Sequence, residues 1–201
     1  MTLKTDWEKC VEFHGHECMG LANGYQIALL AMKKLGVTRA EDEELFAIVE
    51  NDACGVDAIQ FLTGCTLGKG NLIYKDSGKQ ALTLASRKKG KAVRLLRKIE
   101  EQKEDARTQN LRQKVRGGTA NQEEMEEWQK LQKERITVFL ATPGEDLFSC
   151  KEVPVPKIER ARIFRTVVCE ECGEPFAEIK ARLAEGKILC ADCMTDYTRG
   201  W

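Results

Sequence analysis

The stretch "EFHGHECMGLANGY", residues 12–25, contains both histidines of a 201-residue chain. His14, His16 and Cys18 occupy alternate positions beside Gly15 and Gly20. In an extended segment alternate side chains face the same way, whereas in a helix only His14 and Cys18 would share a face. The glycines favour a loop between two helices. Either geometry gathers two or three ligands of the kind that zinc, iron, nickel or copper prefers.

The alternative is that one histidine caps a helix and that Cys18 belongs to the core. A glycine-flanked loop costs conformational entropy to order and buries little apolar surface. Packing alone therefore gives little reason to place two imidazoles and a thiol there, and we favour a functional cleft.

The residues around this motif predict helices on both sides of it. "TDWEKCVEFHGH" reads as a short helix capped by Thr5 or Asp6. "LANGYQIALLAMKKLG" reads as a long helix that stops at Gly36. Further along the chain, "VDAIQFLTG" fits a short helix of about two turns.

Four segments of the first 153 residues predict strands. "NLIYKD" and "QALTLAS" are expected to lie around a turn at Ser77-Gly78. The other segments with strand character are "ELFAIVEND", which leads to Cys54, and "GKAVRLL". A further strand is expected from Leu147 to Val153.

The charged segment of about residues 98–140 predicts a helical hairpin, interrupted at Gly117-Gly118 and restarted by a cap at Asn121. Its second arm has one apolar side that needs a partner, and we therefore expect the protein to form a homodimer. The residues of that side are Met125, Trp128 and Leu131. The expected organisation is a core domain over 1–153, a linker over 154–168 and a separate unit over 169–201.

The C-terminal unit contains two C-x2-C pairs that are seventeen residues apart, a spacing typical of a four-cysteine zinc site. The expected ligands are Cys169, Cys172, Cys190 and Cys193. Four thiolates complete a tetrahedron, so this zinc would be structural, and a unit with so few apolar residues would depend on it to fold. The alternative is a pair of redox-active C-x2-C motifs.

Two more cysteines accompany the first motif in "NDACGVDAIQFLTGC". Cys54 precedes a predicted helix, where the helix dipole favours a thiolate, and is a candidate ligand or nucleophile. Asp57 in the first turn is a candidate proton carrier. Cys65, also a candidate ligand, lies past the other end, about 16 Å away at about 1.5 Å per residue. One ion would therefore bind both cysteines only if the chain folded back.

The overall charge excludes some classes of partner. Lysine plus arginine (32) equals aspartate plus glutamate (32), so no global positive field attracts nucleic acid. The sequence has no signal peptide and no long uncharged apolar run, which predicts a cytoplasmic protein without a membrane partner. The cysteines then more often bind metal or perform chemistry than form disulfides.

These stretches together resemble the E subunit of formylmethanofuran dehydrogenase and its stand-alone relatives. The resemblance covers "FHGHECMGLANGY" (13–25), "ACGVDAIQFLTGCTLGKGNL" (53–72), "YKDSGKQA" (74–81) and the four-cysteine unit. Met19 stands where the family usually has proline, which changes the stiffness of the loop but no proposed ligand. The resemblance implies an α+β fold with a mixed helix/antiparallel-sheet core, a helical hairpin insertion and a treble-clef-like zinc finger.

The resemblance also implies a metal-binding protein tied to molybdenum or tungsten enzymes or to one-carbon metabolism, with subunits of such an oxidoreductase as partners. The pterin and redox machinery of the named complex lies in other subunits, so the family does not fix a reaction. A transition metal in the core cleft would serve catalysis. The alternatives are a non-catalytic metal carrier or assembly factor and, with little electrostatic support, nucleic-acid binding through the finger.

Overall fold

The motif of residues 12–25 joins two helices in the computed structural model of the protein, which describes residues 3–99 and 105–195. The chain divides into two units, Met1–Arg160 and Ala161–Trp201. This division falls within the predicted linker. Residues 100–104 of the predicted hairpin and 196–201 of the predicted finger lie outside the described residues.

Helix α1, Asp6–His14, begins and ends at residues whose chemistry stops a helix. Thr5 is the N-cap and forms a reciprocal capping box with Glu8. Gly15 ends the helix in the left-handed conformation, with a φ of 94° that a side chain would disfavour. Two turns of helix therefore end directly at the histidine pair.

Helix α2, Met19–Leu35, is the central helix of the larger unit. It begins at Cys18, whose sulfur accepts a hydrogen bond from the backbone N–H of Leu21 at 3.3 Å, and it ends at the left-handed Gly36. Its buried face includes Leu21, Ile27 and further apolar residues that pack against the sheet. Gly20, which the sequence suggested for the loop, lies in the first turn of this helix.

A five-stranded sheet carries the core of this unit. Its strands, in the spatial order β2-β1-β3-β4-β5, are β1 Leu45–Val49, β2 Leu72–Tyr74, β3 Ala81–Ser86, β4 Lys91–Arg97 and β5 Phe148–Val153. Strand β3 is buried along its whole length, as expected for a strand with neighbours on both edges. The larger unit is therefore α+β, as the resemblance implied.

The turn at Ser77-Gly78 does not join paired strands, as the sequence had suggested for the segments around it. Strand β1 lies between β2 and β3, pairing parallel to the first and antiparallel to the second. A parallel pair needs a crossover, and helix α3, Gly55–Thr63, supplies it between β1 and β2. The other pairs in this sheet are antiparallel.

The predicted helical hairpin consists of α4, Ala106–Arg116, and α5, Gln122–Ala141. Ile136 and Phe139 of α5 are buried in the core of the same unit. The amide of Gln26 on α2 donates hydrogen bonds to the carbonyls of Phe139 and Leu140, at 3.3 and 2.6 Å. These contacts hold the end of α5 against α2. A four-residue helix, α6 Gly144–Leu147, then leads into β5.

The smaller unit is built from two short antiparallel pairs. Strand β6, Thr166–Val168, pairs with β7, Pro175–Ala177, and β8, Arg182–Ala184, pairs with β9, Lys187–Leu189. A 3-10 turn, Glu178–Lys180, joins the two pairs. In the part of the chain that the structure describes, no helix combines the length and apolarity that a membrane span requires.

Glycines allow α2 and α3 to approach more closely than side chains would permit. A Cβ atom on Gly24 of α2 would lie 2.0 Å from the carbonyl oxygen of Gly55 on α3. A Cβ atom on Gly55 would lie 2.9 Å from the carbonyl oxygen of Gly20. The two backbones are therefore in direct contact, and this contact sets the position of the N-terminus of α3.

We predict that Gly24→Ala destabilises the protein by about 2 kcal/mol or more, because the clash is with backbone that cannot rotate away. This loss outweighs the gain of about 1 kcal/mol in helix propensity. Gly68→Ala is the control, since a Cβ atom there meets nothing within 4 Å, and it should change stability by less than about 0.5 kcal/mol. Chemical denaturation measures both, and equal stability of the two variants would contradict the close contact.

Candidate functional site

Four potential metal ligands meet at the start of α2 and α3. One ligand atom from each side chain lies within 4.8 Å of every other. The four residues, here called the core cluster, are His14, His16, Cys18 and Cys54. The structure thus brings together all the predicted ligands of the first motif and one of the two further cysteines.

The loop between α1 and α2 places the first three members of the core cluster. His14 is the last residue of α1, and the left-handed Gly15 turns the chain so that Cys18 can begin α2. The His14 Nε2 atom lies 3.9 Å from Cys18 Sγ. The rings of His14 and His16 have their centroids 4.5 Å apart. His16 is exposed, while the other three members are partly buried.

The fourth member, Cys54, arrives with α3. The loop before it is fixed by Asn51, whose side-chain oxygen accepts the N–H of Ala53 and whose amide donates to the carbonyl of Lys79. Cys54 is the N-cap residue, but its thiol makes no capping hydrogen bond. Gly20 faces it, and a Cβ atom there would lie 3.2 Å from the Cβ of Cys54. The absence of a side chain on Gly20 therefore leaves room for Cys54 in the core cluster.

Both core cysteines lie at helix N-termini, where the helix dipole favours a negative charge. The two thiols also lie close to one another, and charge on one opposes charge on the other. Burial first, and then the neighbouring Cys54, raise the pKa of Cys18, although the N–H of Leu21 acts in the opposite direction. A bound cation would allow both to be thiolates, as metal coordination requires.

Asp57 orients His14. One carboxylate oxygen of Asp57 lies 2.7 Å from His14 Nδ1, and the other accepts a hydrogen bond of 3.4 Å from the amide of Gln60. The His14 side chain is only 10% exposed. If Nδ1–H donates to the carboxylate, the other ring nitrogen, Nε2, faces Cys18 as a free acceptor. A carboxylate that holds a histidine in this way is the common support of a metal ligand.

Cys65 does not join the core cluster. It lies beyond the C-terminal end of the nine-residue helix α3, completely buried among core residues. Burial raises the pKa of its thiol to about 11. The chain does not fold back after α3, so Cys65 packs as a small apolar residue at the far end of the helix.

The second cluster lies in the smaller unit. Its four sulfur atoms are within 4.8 Å of one another, and they belong to Cys169, Cys172, Cys190 and Cys193. Cys172 Sγ and Cys190 Sγ are 3.9 Å apart. Hydrogen bonds from backbone N–H groups, that of Cys172 first, lower the pKa of Cys169 to about 6. Gly173 turns the chain after the first pair with a φ of 76°. The arrangement is that of a closed four-thiolate site.

Some residues that build the core cluster carry no signal of chemistry in the sequence. Gly20 and Gly24 form a G-x3-G pattern on α2, which is a sign of close helix packing, and Gly55 receives it. Asp57 was a candidate because of its place in the first turn of α3. Its contact with His14, 43 residues earlier, could be found only from the fold.

Comparison with known proteins agrees with both units. Residues 13–149 match a family described as "FmdE, Molybdenum formylmethanofuran dehydrogenase operon". Residues 162–199 match the prokaryotic dksA/traR C4-type zinc finger. The first match includes the core cluster and the helical hairpin, and the second includes the four cysteines of the smaller unit.

Two individual proteins are also similar. A "probable S-adenosyl-L-methionine-binding protein" of Archaeoglobus fulgidus is 36% identical over 193 residues, which cover 92% of this chain and 51% of that protein. The chain thus spans about half the length of this curated relative. A crystal structure of an FmdE-like protein of tungsten formylmethanofuran dehydrogenase type, from Syntrophus aciditrophicus, superposes with a TM-score of 0.60 at 27% identity, covering 96% of both chains.

We predict that Cys172→Ser lowers the zinc content of the purified protein by close to one ion per chain and makes residues 169–193 sensitive to protease. The reason is that the small unit depends on its metal for folding. Cys150→Ser is the control, because Cys150 is an exposed cysteine that belongs to neither cluster. Elemental analysis and limited proteolysis measure the two effects, and unchanged values in Cys172→Ser would disprove a structural zinc.

Proposed function

This chain belongs to the FmdE family, and we propose that its core cluster binds one transition-metal ion at which the protein acts. The observation that carries the proposal is that four soft side chains from three different segments present their ligand atoms within 4.8 Å of one another. The C-terminal finger would hold a second, structural zinc ion.

The donor set of the core cluster fits a first-row metal. Two thiolates and two imidazoles suit zinc, iron(II), nickel and copper. Bonds of about 2.0 Å to nitrogen and about 2.3 Å to sulfur, at a tetrahedral angle, place the two donor atoms about 3.5 Å apart. The separation of His14 Nε2 and Cys18 Sγ is 3.9 Å, so a small movement would complete the coordination.

The support around the ligands favours a site that is formed before the metal arrives. Asp57 fixes the ring of His14, and the N–H of Leu21 contacts the sulfur of Cys18. The glycine contact between α2 and α3 fixes the distance between the two cysteines. A preformed set of ligands costs little entropy on binding and can select one geometry.

The exposure of His16 distinguishes it from the other ligands. If His16 leaves the ion, three ligands remain and one position opens to solvent or substrate, which is the pattern of catalytic zinc sites. The ion would then act as a Lewis acid that polarises a carbonyl group or activates water. Asp57 would keep His14 in place, and Cys54 would be available as a ligand or nucleophile.

A non-catalytic role as a metal carrier or assembly factor is the second candidate. It is favoured by the same exposed histidine, because a ligand at the surface can be exchanged for a ligand of an acceptor protein. Under this hypothesis the partner would be a component of a molybdenum or tungsten oxidoreductase. Transfer of the core ion to a chelator within minutes, with the finger zinc retained, would favour the carrier over the enzyme.

Two other expectations also stay proposals. Homodimer formation was expected from the apolar side of the hairpin, of which Met125 is exposed whereas Trp128 and Leu131 are partly buried against a groove of the same unit. Nucleic-acid binding by the finger has little electrostatic support, because residues 161–195 carry five basic and six acidic side chains.

We predict that His16→Ala removes a metal-binding event that is separate from the finger. Zinc, nickel or iron(II) titrated into protein whose finger is already filled should show one further site in the wild type and none in the variant. Because His16 is exposed, the free energy of unfolding should change by less than about 1 kcal/mol. If the wild type has no second site, the metal proposal is wrong.

We also predict that Asp57→Asn weakens the affinity of the core cluster for metal by about 10- to 100-fold without abolishing binding, since it removes the support of His14 rather than a ligand. The control is Asp52→Asn, in the loop before α3 and outside the core cluster. Competition with a chelator of known affinity measures both variants. An unchanged affinity in Asp57→Asn would show that the contact does not orient the ligand.

A further inference from the structure

A large groove lies between the core of the larger unit and the helical hairpin. Its volume is about 1040 Å³, at the upper end of the range of about 300–1,000 Å³ for small-molecule sites. The walls come from α2, the end of β4 and both helices of the hairpin. The hairpin therefore forms one side of a space that is large enough for a cofactor or an extended substrate.

The lining of this groove is strongly basic. Five of its residues are cationic and only one, Glu134, is acidic. The cations are Arg97, Lys98, Arg112, Arg116 and Arg135. The whole chain has a formal net charge of +0, so the groove concentrates positive charge on an otherwise balanced protein. Such a surface attracts anions and binds carboxylates or phosphates with charge-assisted hydrogen bonds.

One lining residue has an unused hydrogen-bond donor. The amide nitrogen of Gln132 on α5 is buried, and it is the one buried side-chain nitrogen or oxygen within 3–99 and 105–195 that lacks a hydrogen-bond partner. Leaving such a group unsatisfied costs about 1–3 kcal/mol. A ligand oxygen in the groove would accept this hydrogen bond and remove the cost.

The groove also has an apolar part. Trp128 and Leu131 of α5 line it together with Ile99, and the ring of Phe139 lies beneath the guanidinium of Arg97, 4.7 Å from its centroid. Inorganic anions make no use of such a surface. A ring or hydrocarbon body that carries the anionic groups would contact the indole of Trp128.

One end of the groove reaches the core cluster. Met19 and Gly20 line the groove and directly follow Cys18 in the chain. A Cβ atom on Gly20 would lie within 4 Å of the sulfur atoms of both Cys18 and Cys54. A ligand seated along the hairpin can therefore extend its other end towards the two thiols.

We propose that this groove binds an organic polyanion, with carboxylate or phosphate groups held by the arginines and Gln132 and an apolar body against Trp128. The ligand would present its far end to the core cluster. The identification of this ligand as the substrate rests on the proposed function, whereas its binding in the groove does not require a metal. The hairpin is then the element that selects the substrate.

Two aromatic polyanions test the proposal and distinguish the two kinds of anionic group. ATP carries phosphates and benzene-1,3,5-tricarboxylate carries carboxylates, and each is titrated calorimetrically into the full chain at low ionic strength. We expect at least one of them to bind at a single site, with an affinity that falls as salt is added. Binding should persist in His16→Ala, so that failure of the metal site and failure of the groove give different results.

Two variants locate the site. The guanidinium of Arg116 contacts none of the other described residues through a hydrogen bond or ion pair, so Arg116→Glu should leave the fold intact and weaken binding by about tenfold. Gln132→Met should weaken binding several-fold while the melting temperature stays unchanged or rises, because an unsatisfied buried amide is removed. Lys130→Glu and Gln129→Met are matched controls on α5 that do not line the groove, and both should bind like the wild type.

Three results would overturn the proposal. The first is no binding of either anion at concentrations up to about 10 mM, which is weaker than the millimolar range of a poor ligand. The second is an equal effect of Arg116→Glu and Lys130→Glu, which would mean that the anions respond only to overall charge. The third is a lower melting temperature with unchanged binding in Gln132→Met, which would show that Gln132 serves the fold.

Discussion

The backbone contact between α2 and α3 is the constraint on which the core cluster depends. Gly24 and Gly55 have no room for a Cβ atom, and Gly20 leaves space for Cys54. Because Cys18 begins one helix and Cys54 begins the other, the distance between the helices sets the distance between the sulfurs. A helix pair with ordinary side chains at these positions would be spaced about 8–10 Å between its axes and would separate the two thiols. The glycines are therefore as necessary to the site as its ligands.

The two cysteine clusters differ in what surrounds them, and this difference separates their roles. The finger has four thiolates on short strand pairs and no donor other than sulfur, which completes a structural site. The core cluster mixes imidazole and thiolate, has one exposed ligand, and has a carboxylate behind another. It also adjoins a basic groove that is formed in part by the hairpin. Of the two clusters, the core cluster is the one with an approach for a substrate or an acceptor protein.

The local structure of the chain could be predicted from the sequence, because its signals are local. Thr5 and Gly36 bound the first two helices, and alternation or continuous apolar runs mark the strands, so element types agree with expectation. The order of the strands could not be predicted, since β2 has the same pattern whether it pairs with β1 or with β3. The position of Cys65 depended on whether the chain folds back after α3, and the hydrogen bond between His14 and Asp57 depended on helix packing. The groove takes its residues from four elements, and Gln132 looks like any polar residue on a charged helix until its amide is seen to be buried.

The central claim is that two cysteines and two histidines from three segments hold one ion. X-ray absorption at the cobalt edge tests it most directly, on the full chain with the finger filled by zinc and one equivalent of cobalt(II) added. The account predicts two sulfur neighbours at about 2.3 Å together with nitrogen neighbours at about 2.0–2.1 Å. A shell of four sulfur atoms would mean that cobalt had only replaced the zinc of the finger, and a shell without sulfur would mean that Cys18 and Cys54 do not bind metal. Either of these results would contradict the account.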